Sequence, residues 1–246
     1  MRKLIVGALV GCLVMALSAV AYAATVQNYK QTFTAKKVKT STGTKFSTDS
    51  NDPDNPRNQQ PNRVTNFDIT FPKGTKINYK AIPTCAATED EFASAEDPDD
   101  ACPTKSKIGT GTVKARLPFE SADLTGTVDA YNAKNALLLF VQVQSPLGNQ
   151  TLLIKGSLKG VLLKTEVPRN CIPPGIPSND CKDAQGTPQD AILTEFNLKT
   201  KKAGTKKKPF MQTPATCPSS KNWVFKAKLT YGDKTTANKS AKTPCS

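Results

Sequence analysis

Histidine is missing from all 246 residues. That excludes Ser-His-Asp and Cys-His nucleophile arrangements and every metal centre built on imidazole. There is no C-x-x-C pair, no G-x-S-x-G elbow and no G-x-x-x-x-G-K phosphate loop. Thiolate zinc sites, α/β-hydrolase chemistry and P-loop nucleotide binding therefore lose their usual signatures. A Ser–Lys dyad stays open, although Ser106, set between Lys105 and Lys107, lacks the S-x-x-K spacing. Tryptophan occurs once, at Trp223. It shares an alternating face with Phe225 and Leu229, which places it in a core rather than on a sugar platform. Past the first two dozen residues no apolar run is long enough to cross a bilayer. Helical periodicity is almost absent.

What is present begins with the leader. Arg2 and Lys3 precede an apolar run that ends in Ala21-Tyr22-Ala23. This is the pattern of a secretory signal peptide over 1–23, with cleavage after Ala23 or Ala24. Leu9-Val10-Gly11-Cys12 matches a lipobox, but apolar rather than polar sequence follows Cys12. The remaining cysteines are Cys85, Cys102, Cys171, Cys181, Cys217 and Cys245. An even number in an exported chain implies disulfides. Six cysteines allow about 15 connectivities, and the sequence does not choose among them. Nearest-neighbour pairing is the expectation, with no metal and no cofactor.

Residues 24–62 read as a first strand followed by a long polar loop, and 63–246 as one β domain. In RVTNFDITFP, Phe67, Ile69 and Phe71 share a face. In NWVFKAKLTY, Trp223, Phe225, Ala227, Leu229 and Tyr231 do the same. Period-two alternation marks half-buried strands. ALLLFVQVQ is apolar on both faces, as a central strand would be, and Lys159-Gly160 reads as a turn. About ten such strands between turn signals predict an all-β antiparallel sandwich, immunoglobulin-like or jelly-roll-like.

The stretch from Cys85 to Cys102 encloses seven acidic residues in a chain of formal charge +14. Thr88 followed by Glu91 is a capping box. One short helix is therefore expected inside a disulfide-closed loop, ended by Asp97-Pro98. Asp97, Asp99 and Asp100, like the patch from Asp49 to Asn55, offer calcium-type oxygens without EF-hand order. A solvated, capped loop is the simpler reading of both.

Three stretches carry a resemblance. CPTKSKIGTGTVKA (102–115), FDITFPKGTKINYKAIPTC (67–85) and KKPFMQTPATCP (207–218) are similar to elements of small exported β-sandwich proteins of high-GC Gram-positive bacteria. The resemblance implies export, disulfides and a β-sandwich, and brings no activity with it. The Lys-rich run at 199–208 and the pair Cys171 and Cys181 depart from that pattern.

Loss of Arg2 and Lys3 with the leader lowers the formal charge from +14 to +12. Lys201, Lys202, Lys206, Lys207 and Lys208, with Lys199, crowd one loop. They are candidate anion-binding residues. Lysine is a compact, poorly directional charge suited to anionic surfaces. No aromatics are interleaved with them, which argues against single-stranded nucleic acid. The expectation is a secreted, non-enzymatic binding or structural protein of the cell envelope that meets an anionic wall polymer or acidic polysaccharide. The alternative is a carboxylate-based extracellular polysaccharide hydrolase, which needs two carboxyls facing a cleft.

Overall fold

The computed structural model describes residues 28–50, 62–95, 97–117, 123–144, 150–169, 171, 181 and 190–246. The leader, Cys12, most of the patch from Asp49 to Asn55 and the interior of the Cys171–Cys181 loop lie outside them. The strands are β1 (Asn28–Phe33), β2 (Thr44–Asp49), β3 (Val64–Thr70), β4 (Lys76–Ile77), β5 (Lys107–Arg116), β6 (Leu124–Ala133) and β7 (Ala136–Val143). They continue with β8 (Gln150–Lys159), β9 (Leu162–Glu166), β10 (Ile192–Thr200), β11 (Met211–Gln212), β12 (Asn222–Tyr231) and β13 (Thr236–Pro244).

The all-β antiparallel class holds. Among the described residues eleven strands form one sheet in the order β1-β2-β10-β5-β6-β7-β8-β9-β3-β12-β13, and β11 pairs with β4 as a separate ribbon. The two facing layers are thus made by one sheet curled on itself into a nearly closed barrel. Period-two alternation drives the curl. On β12, Trp223, Phe225, Ala227, Leu229 and Tyr231 point inward and are buried, while Val224, Lys226 and Lys228 point out. The end strands meet at a seam, where the Phe33 ring packs on Phe225 and Trp223 with centroids 4.7 and 5.5 Å apart.

The region read as a long polar loop contains β2. Only Phe46 makes it a strand of the core, against Tyr29, Phe67 and Phe196. One apolar residue among Lys, Ser, Thr and Asp leaves no visible alternation, yet two neighbouring strands supply its ladders. The disulfides are Cys85–Cys102, Cys171–Cys181 and Cys217–Cys245.

The Cys85–Cys102 loop holds two short helices rather than one. Helix α1 (Glu89–Ser94) starts at the Thr88 capping box, with Glu91 Oε2 accepting from Thr88 N at 2.7 Å. Asp97 and Pro98 do not merely stop it. Asp97 accepts from Asp99 N at 2.8 Å and Pro98 opens α2 (Pro98–Ala101). The same two residue types that end a helix are favoured at the start of the next. The loop covers the outer face of the barrel, where Phe92 packs on Tyr131 and Phe140 beside the Cys85–Cys102 bridge. That cover is why β7 is apolar on both faces.

The GTGT run on β5 has a backbone reason. A Cβ at Gly111 would lie 1.9 Å from Asn197 O on β10, so the two strands approach too closely for any side chain. Gly111→Ala is expected to cost about 2–3 kcal/mol through forced backbone shifts. Urea unfolding would measure it, and a neutral substitution would mean that β10 yields freely.

Candidate functional site

The lysine run occupies a rooted turn. Lys201 N donates to Ile108 O at 2.7 Å, Phe210 N to Ala203 O at 2.9 Å and Thr205 N to Lys208 O at 3.1 Å. Gly204 supplies the left-handed backbone, with φ of 81°. Phe210, buried, anchors the base, and Lys201, Lys202, Lys206, Lys207 and Lys208 are all exposed. Among the described residues none of these five forms an ion pair.

Strand pairing adds lysines that sequence reasoning missed. On the outer wall of β1, β2, β10 and β5, Lys45 stands opposite Thr32 on one side and Lys199 on the other. Lys30 stands opposite Ser47, and Lys199 opposite Thr110. Asn197 lies between Ser47 and Thr112. The result is a shallow open groove with lysine ammoniums set among hydroxyls and amides. Like charges directly opposite in a ladder are destabilising. Among the described residues no carboxylate pairs with Lys30, Lys45 or Lys199. The only local signal was the alternation in NYKQTF and TKFSTD, which puts each lysine opposite an inward aromatic. The register that joins them spans some 150 residues of chain and is unreadable locally.

The acidic loop is clamped to the barrel by a second polar cluster. Tyr131 OH donates to Asp99 Oδ1 at 2.7 Å, and Lys107 Nζ reaches Asp99 Oδ2 and Asp129 Oδ1, both at 3.1 Å. Burial works against the Asp99 carboxylate, but hydrogen bonds from Tyr131 and Lys107 outweigh it and hold the group below its ordinary range. For Asp129 burial outweighs Lys107 and pushes the carboxyl up. As pH falls, Asp129 therefore takes its proton first. The contribution of Asp99 is complete above its unfolded value of about 3.9 and is lost as pH falls through the lower folded value. Carboxyl NMR titration should order the two this way and show the loop detaching with Asp99. The reverse order, or detachment with Asp129, would contradict the clamp.

With their oxygens so engaged, Asp97 and Asp99 serve as cap and clamp. Cys171, Cys181 and Asp190 bring possible ligand atoms within 4.8 Å of one another. The two sulfurs are joined in a disulfide, however, and Asp190 accepts from Arg169 Nε at 2.8 Å. That trio offers no thiolate.

A second feature lies inside. The barrel interior holds a partly open cavity of about 150 Å³ with a mostly apolar lining. Among the described residues no helix is long and apolar enough to cross a membrane. Compared with known protein families, with curated proteins and with solved structures, the chain finds no match.

Proposed function

We propose that the mature chain is an exported, non-enzymatic binding protein of the cell envelope that attaches to anionic polymers through its lysine wall. The observation that carries this reading is the Lys45–Lys199 cross-strand pair, flanked by Lys30 and continuous with the loop bearing Lys201, Lys202, Lys206, Lys207 and Lys208. A sheet that keeps like charges opposite each other gains most from a ligand that neutralises both. Threonine, serine and asparagine between the lysines suit the hydroxyl and phosphate or carboxylate groups of a wall polymer or acidic polysaccharide. The disulfides fit an oxidising, extracellular setting. The hydrolase alternative draws less from the geometry. Asp99 and Asp129 converge on Lys107, which neutralises them on the outside of the barrel.

Retention of the oxidised protein on a teichoic-acid-type or uronate polymer should weaken steeply between low and physiological salt, since exposed charges are screened over about 8–10 Å there. Replacing Lys30, Lys45 and Lys199 together with glutamine should lower affinity on the order of tenfold, at a few tenths of a kcal/mol per exposed contact or more. The same change at Lys206, Lys207 and Lys208 tests the loop separately. Retention unmoved by salt and by both triple substitutions rules the wall out as the attachment surface.

A further inference from the structure

The barrel interior is independent of the lysine wall and has the makings of a second site. Its inward side chains come from β1 to β3 and β5 to β10. At one end it is shut by Phe71, Ile108, Phe210 and Met211, all buried. At that end Thr44 Oγ1 meets Thr200 Oγ1 at 3.1 Å, and farther along β1 Tyr29 OH donates to Gln31 Oε1 at 2.5 Å. Toward the other end Leu124, Leu152 and Leu193 point inward yet are only half-buried. In a close-packed core such side chains touch neighbours on all sides. Here part of their surface stays exposed.

That end carries Arg63, whose side chain is 22% exposed. Its Nη1 donates to Val167 O at 3.3 Å and its Nε lies 3.9 Å from Asp190 Oδ2. A guanidinium has five donors in a planar fork, so these contacts leave N–H groups for a further oxygen. An apolar cavity of this size holds a guest of about benzene's dimensions. The geometry points to the barrel interior as a binding site for a compact hydrocarbon carboxylate, its apolar body among Leu139, Leu152 and Ile154 and its carboxylate at Arg63. The hydrocarbon supplies the affinity by filling the void, and the guanidinium sets the orientation.

Methyl NMR on the mature, oxidised protein tests this without a mutation. The strands carry their own control. Leu139, Leu152 and Ile154 line the cavity, whereas Leu138 and Leu153 lie with Phe140 on the opposite face beneath the acidic loop. Titration with 4-ethylbenzoate should shift the first three methyl sets saturably and leave the last two still. Saturating probe should also raise the unfolding midpoint by about 5 °C. Ethylbenzene should bind the same methyls about tenfold more weakly, because a hydrogen bond to a charged group is lost. Arg63→Gln should erase that difference. Leu152→Trp, which fills the cavity, should abolish both titrations; if it fails to fold, the wild-type methyl map decides. Inner methyls unmoved by millimolar probe, or movement of Leu138 and Leu153 instead, overturns the site. Equal affinity for the two probes in the wild type overturns the carboxylate assignment.

Discussion

Phe92→Ala is expected to lower stability by about 3–5 kcal/mol, an effect unusual for a residue in a loop. Phe92 is 1% exposed. Its ring stacks on Phe140 at 4.7 Å with an interplanar angle of 21°, and lies 5.9 Å from Tyr131. Around it sit Cys85, Cys102, Ala133, Ala136 and Leu138, a small core on the outside of the barrel. Truncation removes the residue that fills this core and leaves a cavity between loop and strand. The disulfide keeps the loop tethered, so little of that cost returns as chain entropy. Equilibrium urea unfolding should show the loss, with the far-ultraviolet β signal retained below the transition. A cost under about 1 kcal/mol would mean that the acidic loop rides on the barrel without packing against it. Phe92→Leu, which keeps most of the volume, should recover more than half of the effect.

This small core explains which features were legible in the sequence. The Thr88–Glu91 capping box forms as written, because both partners are local and need nothing from the rest of the fold. The alternation of β12 is equally explicit, since one of its faces meets only water and the other only the core. The two apolar faces of β7 correctly signal burial on both sides. The cover on its outer side is a disulfide-closed helical loop, which periodicity cannot distinguish from a second sheet. β2 was hidden because its single aromatic, Phe46, carries no period. The lysine wall was half visible: the run around Gly204 reads as a charged loop, but Lys30 and Lys45 join it only through register. Register depends on which strands pair, and that is settled by the whole sheet. The cavity was wholly hidden, because a residue facing a void and a residue facing a neighbour are written with the same letters.

Removing the Cys217–Cys245 bridge by a double serine substitution should cost about 3.5 kcal/mol, and the damage should concentrate at one place. The bridge closes a separation of 28 residues, for which the chain-entropy model gives that figure. It also sits beside the weakest line of the barrel. Among the described residues no backbone ladder joins β1 and β13: Phe33 N donates to Thr243 Oγ1 on β13 at 3.1 Å, and the Phe33 ring packs on Trp223 and Phe225 of β12. Just beyond the strands, Val38 N donates to Ser246 O at 3.2 Å and Ser246 N to Lys36 O at 2.9 Å. Cys245 lies between these two attachments, and Cys217 lies just past Thr216, whose carbonyl accepts from Trp223 Nε1 at 2.9 Å. Without the bridge, the C-terminal end of β13 is held to the first hairpin by a handful of hydrogen bonds. Hydrogen exchange should therefore quicken first at Phe33, Val38 and Ser246, while amides in the β6–β7 ladder keep protection close to the reduced global stability. If exchange quickens uniformly, the seam is as firm as any ladder and the barrel opens only as a whole. If the double substitution costs under 1 kcal/mol with the seam unchanged, the Phe33 contacts close the barrel by themselves. The measurement thus separates a barrel closed by covalent linkage from one closed by packing. That difference sets how readily the interior beneath Phe33 and Trp223 can be reached from the seam.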